Sequence, residues 1–303
     1  MDQLCWTTRW EVWRDLMSAP SSRQRKRVME FLQTRPALLY WGDSWFSTPL
    51  YLNLARQSLL RIDGMAMLMG KPGATASELF TAAHIRNVTA RVQSSPFDVV
   101  CISAGGNDQL SERLANVFAA WMAPRQPARI DAQEAFDVLT ASRTFDVIRD
   151  RYVALLTALR AVQRSRPHFR VVGHTYAPIQ RIGAKGDLTV QNIGLVAWLK
   201  GDVGPWLWKP MQRVLPNLAE GKKFADLLLQ QGFRDRVLKP LAAPGAFGDM
   251  FSYADFSNAP GIADPNFWYD EIHPKEAGFA QLAVVLNQQI RDVLPTRKQQ
   301  AIR

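Results

Sequence analysis

Four side-chain types that together make nucleophilic chemistry occur in this chain at well-separated points: a serine, an asparagine, an aspartate and a histidine. Ser44 closes the tripeptide Gly42-Asp43-Ser44, which directly follows the apolar run ALLYW. A serine hydroxyl is a weak nucleophile at neutral pH and needs a base within hydrogen-bond reach. A turn leading from a strand into a helix would expose it and set developing negative charge near a helix N-terminus. Asn107 lies in Gly105-Gly106-Asn107-Asp108, after the run FDVVCISA. Its amide is a donor that can be aimed at an oxyanion without adding charge, and the glycines allow close backbone approach. Asp270 and His273 stand three residues apart in Asp270-Glu271-Ile272-His273-Pro274. That spacing in a turn can set a carboxylate against an imidazole. Pro274 biases His273 toward extended backbone and suits the first turn of a following helix. Taken singly, each motif is also an ordinary turn, and the Asp270/His273 pair lacks the further ligands of a metal site.

The elements that must position these residues alternate along the chain. Short apolar runs at 37–41, near 59–63, at 97–104, 169–174 and 250–254 read as strands. Helical periodicity predicts helices over about 49–58, 75–93 and 275–293, and a long helical region, mainly 145–165, ahead of the strand 169–174. Strands alternating with helices predict an α/β chain whose parallel sheet is covered on both faces. Right-handed crossovers then bring the C-terminal ends of all strands to one edge, where the three motifs fall. Residues 6–33 carry Trp10, Trp13, Met17, Val28, Phe31 and Leu32 at helical spacing, and 1–36 reads as a helical N-terminal cap. The segment 178–248 breaks the alternation and contains IGLVAWLKGDVGPWLWKPM. It is expected to be an insertion over the active-site edge of a single domain spanning 1–303. Its tryptophans Trp198, Trp206 and Trp208 form either an apolar wall over the site or the insertion's own core.

Gly-Asp-Ser near the start, Gly-x-Asn-Asp after a middle strand and Asp-x-x-His-Pro near the end, in that order over about 37–290, resemble blocks I, III and V of the SGNH (GDSL-like) hydrolases. The resemblance implies a flavodoxin-like three-layer α/β/α fold with a mostly parallel sheet, and carboxylic-ester hydrolysis through an acyl-enzyme. It implies Ser44 as nucleophile, His273 as general base and then acid, and Asp270 as its orienting partner. The oxyanion hole would combine the Ser44 and Gly73 backbone amides with the Asn107 side chain, Gly70 and Gly64 being the other candidates for the block II glycine. The family usually has an aliphatic residue after the serine; here it is Trp45, which alters the expected pocket. The G-x-S-x-G elbow of the other large esterase fold is absent. Asp43 and Asp108 are expected to order their loops. His174 ends a strand on the catalytic edge and is expected, with Trp45, to line the substrate pocket. His84 and His168 read as surface or packing residues.

Composition bounds the rest. At 303 residues and 47% hydrophobic, the chain can bury a large core. Cys5 and Cys101 read as free thiols without a disulfide framework. No cofactor or metal is expected. The charged N-terminus lacks a signal-peptide core, and no run reaches the roughly 20 apolar residues of a membrane span. The expectation is therefore a cytoplasmic protein, or one exported by a signal-independent route. A net charge of +10 allows an anionic surface as partner, but the basic residues are scattered and no nucleic-acid motif supports specific binding to DNA or RNA. The expected substrate is a small-molecule, lipid or glycan ester, with an acyl ester of lipid type ahead of a carbohydrate O-acetyl ester. A non-catalytic binding module would be expected to carry a broken triad.

Overall fold

The computed structural model describes residues 5–18, 21–48, 52–123, 129–186 and 204–303. Six strands form one sheet: β1 (Cys5–Thr7), β2 (Ala37–Gly42), β3 (Met65–Gly70), β4 (Val99–Ser103), β5 (Arg170–His174) and β6 (Phe251–Ala254). All pairings are parallel, in the order β1-β3-β2-β4-β5-β6. Helices cover both faces, so β2 and β4 are buried at every residue, as continuous apolar runs require in a parallel sheet. From β2 the chain crosses to β3 on one side and later returns to β4 on the other. The order therefore reverses between β2 and β4, and at such a switch point a crevice opens beyond the strand ends. Gly42 pairs with Ser103 at that crevice; Ser44 follows two residues later on one side and Asn107 four residues later on the other.

The second strand of the alternation lies at Met65–Gly70, not near 59–63. Leu59 ends the helix Leu54–Leu59, Leu60 is exposed, and Ile62 makes only an isolated bridge to Ile302. The true strand, MAMLMG, is rich in methionine and alanine, which favour helices over strands, so its pattern did not announce it. The N-terminal region is not wholly helical either. Residues 5–7 add edge strand β1 beside β3, and two helices come after it, Trp10–Met17 and Ser22–Thr34. Trp13 anchors them, stacked on Phe97 at 4.5 Å and donating to Ser95 Oγ at 3.2 Å. The expected helix over 75–93 is two, Ala76–Leu79 and Ala82–Gln93, each started by a threonine cap. The long helical region between β4 and β5 resolves into three helices, Ser111–Met122, Ala132–Ala141 and Thr144–Ser165.

In the segment 178–248, the described part continues as short helices at Trp208–Met211 and Leu218–Leu227, a π-helix at Leu228–Leu238 and a turn of helix at Lys239–Leu241. Trp198 and the thiol of Cys5 lie outside the described residues. Cys101 is a free thiol buried in β4. Among the described residues, no helix is long and apolar enough to cross a membrane.

Candidate active site

The turn that carries Ser44 is held from below by Asp43. A Cβ on Gly42 would come within 2.6 Å of Ser103, so only glycine lets β2 and β4 run this close. Asp43 is buried, donates its amide to Ser103 O at 2.9 Å, and accepts from Trp45 N at 3.0 Å, Ser103 Oγ at 2.7 Å and Tyr176 Oη at 2.5 Å. Burial pushes its carboxyl above the usual range even against these donors. It orders the loop, as expected, and ties the ends of β2, β4 and β5 together. Ser44 then opens the short helix Ser44–Ser47 and keeps its side chain toward the cleft.

The loop before the last helix brings up the base. Trp268 bridges Pro274, and Tyr269 N donates to His273 O at 2.9 Å, so the intervening residues form a tight turn. Asp270, itself buried, closes that turn by accepting from Ile272 N at 2.8 Å and His273 N at 2.7 Å. The same carboxylate faces His273 Nδ1 at 2.9 Å through Oδ2. An ionised carboxylate only accepts, so Nδ1 carries the proton and Nε2 presents its lone pair. Nε2 lies 3.0 Å from Ser44 Oγ. Burial alone would lower the pKa of His273; the charge and hydrogen bond of Asp270, with help from Asp43, outweigh it and carry the imidazole above its ordinary value. A serine hydroxyl donating to an imidazole whose other nitrogen is held by a buried carboxylate can be deprotonated as it attacks a carbonyl.

Across the crevice, Gly105 adopts φ +108°, and the Asn107 loop is pinned to the loop after β3. Asn107 Nδ2 donates to Ala74 O at 3.0 Å, and Asp108 Oδ2 accepts from Ala76 N at 2.7 Å. The amide of Asn107 has a second hydrogen, and its side chain lines the cleft beside Ser44. Asp108 orders the loop; burial raises its carboxyl to about 6. Gly73, one residue before the Ala74 carbonyl, takes φ +74° in an exposed turn and is not among the cleft-lining residues. The two other glycines have packing reasons. A Cβ on Gly70 would strike the backbone of Gly42, and one on Gly64 would strike Pro36.

The cleft holds about 470 Å³ of void space, its open mouth included. Ser44 and Asn107 lie on its polar side, while Leu110, Ile179, Leu228, Leu229 and Ile272 make an apolar wall. Ile179, Leu228 and Leu229 come from the segment 178–248. Trp45 forms part of the floor but is only 3% exposed, because His174, Tyr176, Phe256 and Phe279 surround it. His174 does not line the cleft, contrary to expectation. It lies behind Trp45, stacked at 5.5 Å, with Nδ1 against Thr175 O at 2.8 Å. Burial drives its pKa down to about 4. Trp206 meets His273 edge to face at 5.6 Å, whereas Trp208 packs against Gly183 and Gly221, so the tryptophans divide between site and core.

Sequence reasoning missed three polar residues here. Tyr176 braces Asp43, and Gln109 lines the cleft while donating to Gly105 O at 2.8 Å. Glu271 is fully buried and accepts three backbone N–H groups from the segment 178–248. It stood inside a motif already singled out, but an acidic residue beside another carries no sequence sign of burial. Among the described residues, no group of acidic, histidine and cysteine side chains could hold a metal ion.

No family model and no curated protein matches the chain by sequence. Solved structures do match. The lipase Lip_vut3 from a goat rumen metagenome aligns over 84% of this chain and 96% of its own at a TM-score of 0.50 and 13% identity. The two chains share their α/β fold. A candidate SGNH hydrolase from Slackia heliotrinireducens covers 84% of this chain and 99% of its own, with a TM-score of 0.45 and 17% identity. A carbohydrate esterase of family 3 from Talaromyces cellulolyticus covers 85% and 98%, with a TM-score of 0.43 and 14% identity. Identities this low show a shared fold alone; the chemistry of this chain has to be argued from its own site.

Proposed function

We propose that the protein is a serine esterase that cleaves carboxylic esters of apolar acyl groups. One observation carries this reading: the continuous hydrogen-bonded chain from Ser44 Oγ through His273 to buried Asp270, opening on an apolar cleft. In the reaction, Ser44 Oγ attacks the ester carbonyl while His273 Nε2 takes its proton. The imidazolium formed is stabilised by Asp270 and then protonates the leaving alcohol. Water enters, His273 removes its proton, and the acyl-enzyme is hydrolysed with return of that proton to Ser44. The second N–H of Asn107 and the amide of Ser44 would share the charge on the tetrahedral oxygen, while Gly73, in its exposed turn outside the cleft, is left without that role. No step calls for a metal or organic cofactor.

The wall of Leu110, Leu228, Leu229 and Ile272 favours an acyl chain over a bare acetyl group, since each buried methylene is worth ~0.8 kcal/mol. Hydrolysis of p-nitrophenyl esters from acetyl to palmitoyl, by wild type and Ser44→Ala, tests both parts. The reading expects activity that rises beyond acetyl and falls by at least ~10⁴-fold in the variant. A maximum at acetyl would turn the assignment toward O-acetyl esters, and equal activity in the two proteins would remove Ser44 from the mechanism.

A further inference from the structure

Glu271 sits between the two residues proposed as acid-base machinery, yet its side chain points away from them. It is fully buried, and its two oxygens accept from Gly183 N at 3.0 Å, Leu207 N at 2.6 Å and Trp208 N at 3.0 Å. These donors lie at two places in the chain, so one carboxylate joins both ends of the stretch 184–206. Arg181 adds a reciprocal tie by donating to Trp268 O at 3.2 Å and Tyr269 O at 3.0 Å. The joint touches the site on both sides. Trp206, next to Leu207, sets its ring against His273, and Ile272, next to Glu271, lines the cleft.

We infer that Glu271 is a positioning residue, a staple that holds the backbone at Gly183 to that at Leu207 and Trp208 beside the cleft and thereby sets the fit of the acyl chain. Backbone amides are an apt target for such a role. They carry no side chain to vary, and a carboxylate is the one side chain that accepts from three donors without offering a donor of its own. Charge-assisted bonds of this kind are about twice as strong as neutral ones, which suits a joint that must hold a wall of apolar side chains in place. The inference rests on the esterase reading only for its consequence in catalysis; the staple itself is a statement about structure.

Glu271→Gln tests it, because the amide keeps the shape but turns one acceptor into a donor facing an N–H. Amide hydrogen exchange is followed at Gly183, Leu207 and Trp208, with the β2 residues 38–41 as the reference for global opening. The staple predicts exchange about tenfold faster at the three amides, equivalent to ~1.4 kcal/mol, and unchanged exchange in β2. On the ester series, KM for octanoyl ester should rise about tenfold while kcat for acetyl ester stays within a factor of about two. Unchanged exchange at the three amides, or equal acceleration in β2, overturns the staple. An equal fall in kcat at every chain length overturns its role in acyl fit. Should the variant not fold, exchange in the wild type still decides. The three amides must then exchange together and more slowly than the exposed Lys185, and independent, fast exchange refutes the idea. Wild type inactive on every ester would defeat the esterase reading and leave the exchange result standing.

Discussion

Two imidazoles lie on the catalytic edge, His273 against Ser44 and His174 behind Trp45, and their surroundings drive them in opposite directions. His273 faces a buried carboxylate on Nδ1 and the serine hydroxyl on Nε2, and its pKa is raised. His174 is enclosed by Trp45, Phe46, Tyr176 and Phe256, with only a carbonyl at Nδ1, and its pKa falls to about 4. Burial acts on both and disfavours the cation in both. The difference is Asp270. A buried histidine becomes a base that can hold a proton through a reaction only where a charge is placed to meet it; without one it is a neutral packing ring.

The comparison breaks most completely if that carboxylate is neutralised. Asp270→Asn keeps an oxygen for the amides of Ile272 and His273 but presents an N–H₂ to Nδ1. The imidazole must then put its proton on Nε2, where it can no longer accept from Ser44. We expect kcat/KM to fall by roughly 10⁴-fold with the fold retained, as tautomer loss does in such triads. Full activity in Asp270→Asn would show that the polarity of the pair is irrelevant.

The pH profile sharpens the same point. His273 works as a base only when neutral, so kcat/KM should fall as the medium becomes acidic enough to protonate it. Because its folded pKa is raised, the midpoint of that acid limb should lie above the ordinary 6.5. A limb centred below 6.5 would mean that Asp270 does not hold the proton as the geometry implies.

The two histidines also mark what could be read from the sequence. Asp270 and His273 were legible through the resemblance of their motif and its place after the other two, and the short turn between them is what lets so local a pattern carry the pair. Ser44 and Asn107 were readable because the strands before them end at one edge. His174 also ends a strand on that edge, and sequence position alone suggested the pocket. Its true place depended on Trp45 filling the space in front of it, which is a matter of packing between distant elements. Glu271 and Tyr176 were missed for the same reason: their partners lie 63 to 133 positions away in the chain. Strand β3 escaped because methionine and alanine hide a buried strand, and the edge strand β1 because three residues are too short for a period.

A smaller effect, on stability, tests the other histidine. His174 in the folded protein titrates near 4 against 6.5 for the free side chain, so unfolded chains bind its proton first as the pH falls. The folded state therefore loses stability between pH 6.5 and about 4, by up to roughly 3 kcal/mol. His174→Phe removes that penalty along with an Nε2 that has no partner among the described residues, and forfeits one hydrogen bond to Thr175 O worth ~1 kcal/mol. Its Tm should be within a few degrees of wild type at pH 7 and higher at pH 4.5, with kcat unchanged. The same loss of stability on acidification in wild type and variant would place the acid sensitivity elsewhere.

A further effect belongs to the residue that touches both environments. Tyr176 packs edge-on against His174 at 5.3 Å and donates its hydroxyl to Asp43 at 2.5 Å, while Asp43 contributes to the field on His273. Tyr176→Phe leaves the ring in the aromatic box but takes one of three donors from a buried carboxyl whose pKa burial has already raised. Asp43 keeps Trp45 N and Ser103 Oγ, so the expected cost is ~1–3 kcal/mol of stability rather than unfolding. With a donor gone, Asp43 holds its proton more readily and gives less support to the His273 cation. The acid limb of kcat/KM should therefore move slightly downward in pH, while the acid stability contributed by His174 stays as in wild type. A shift in both would mean that the two imidazoles share one electrostatic environment; a shift in the limb alone keeps them separate, with Asp43 as the only charge that Tyr176 controls.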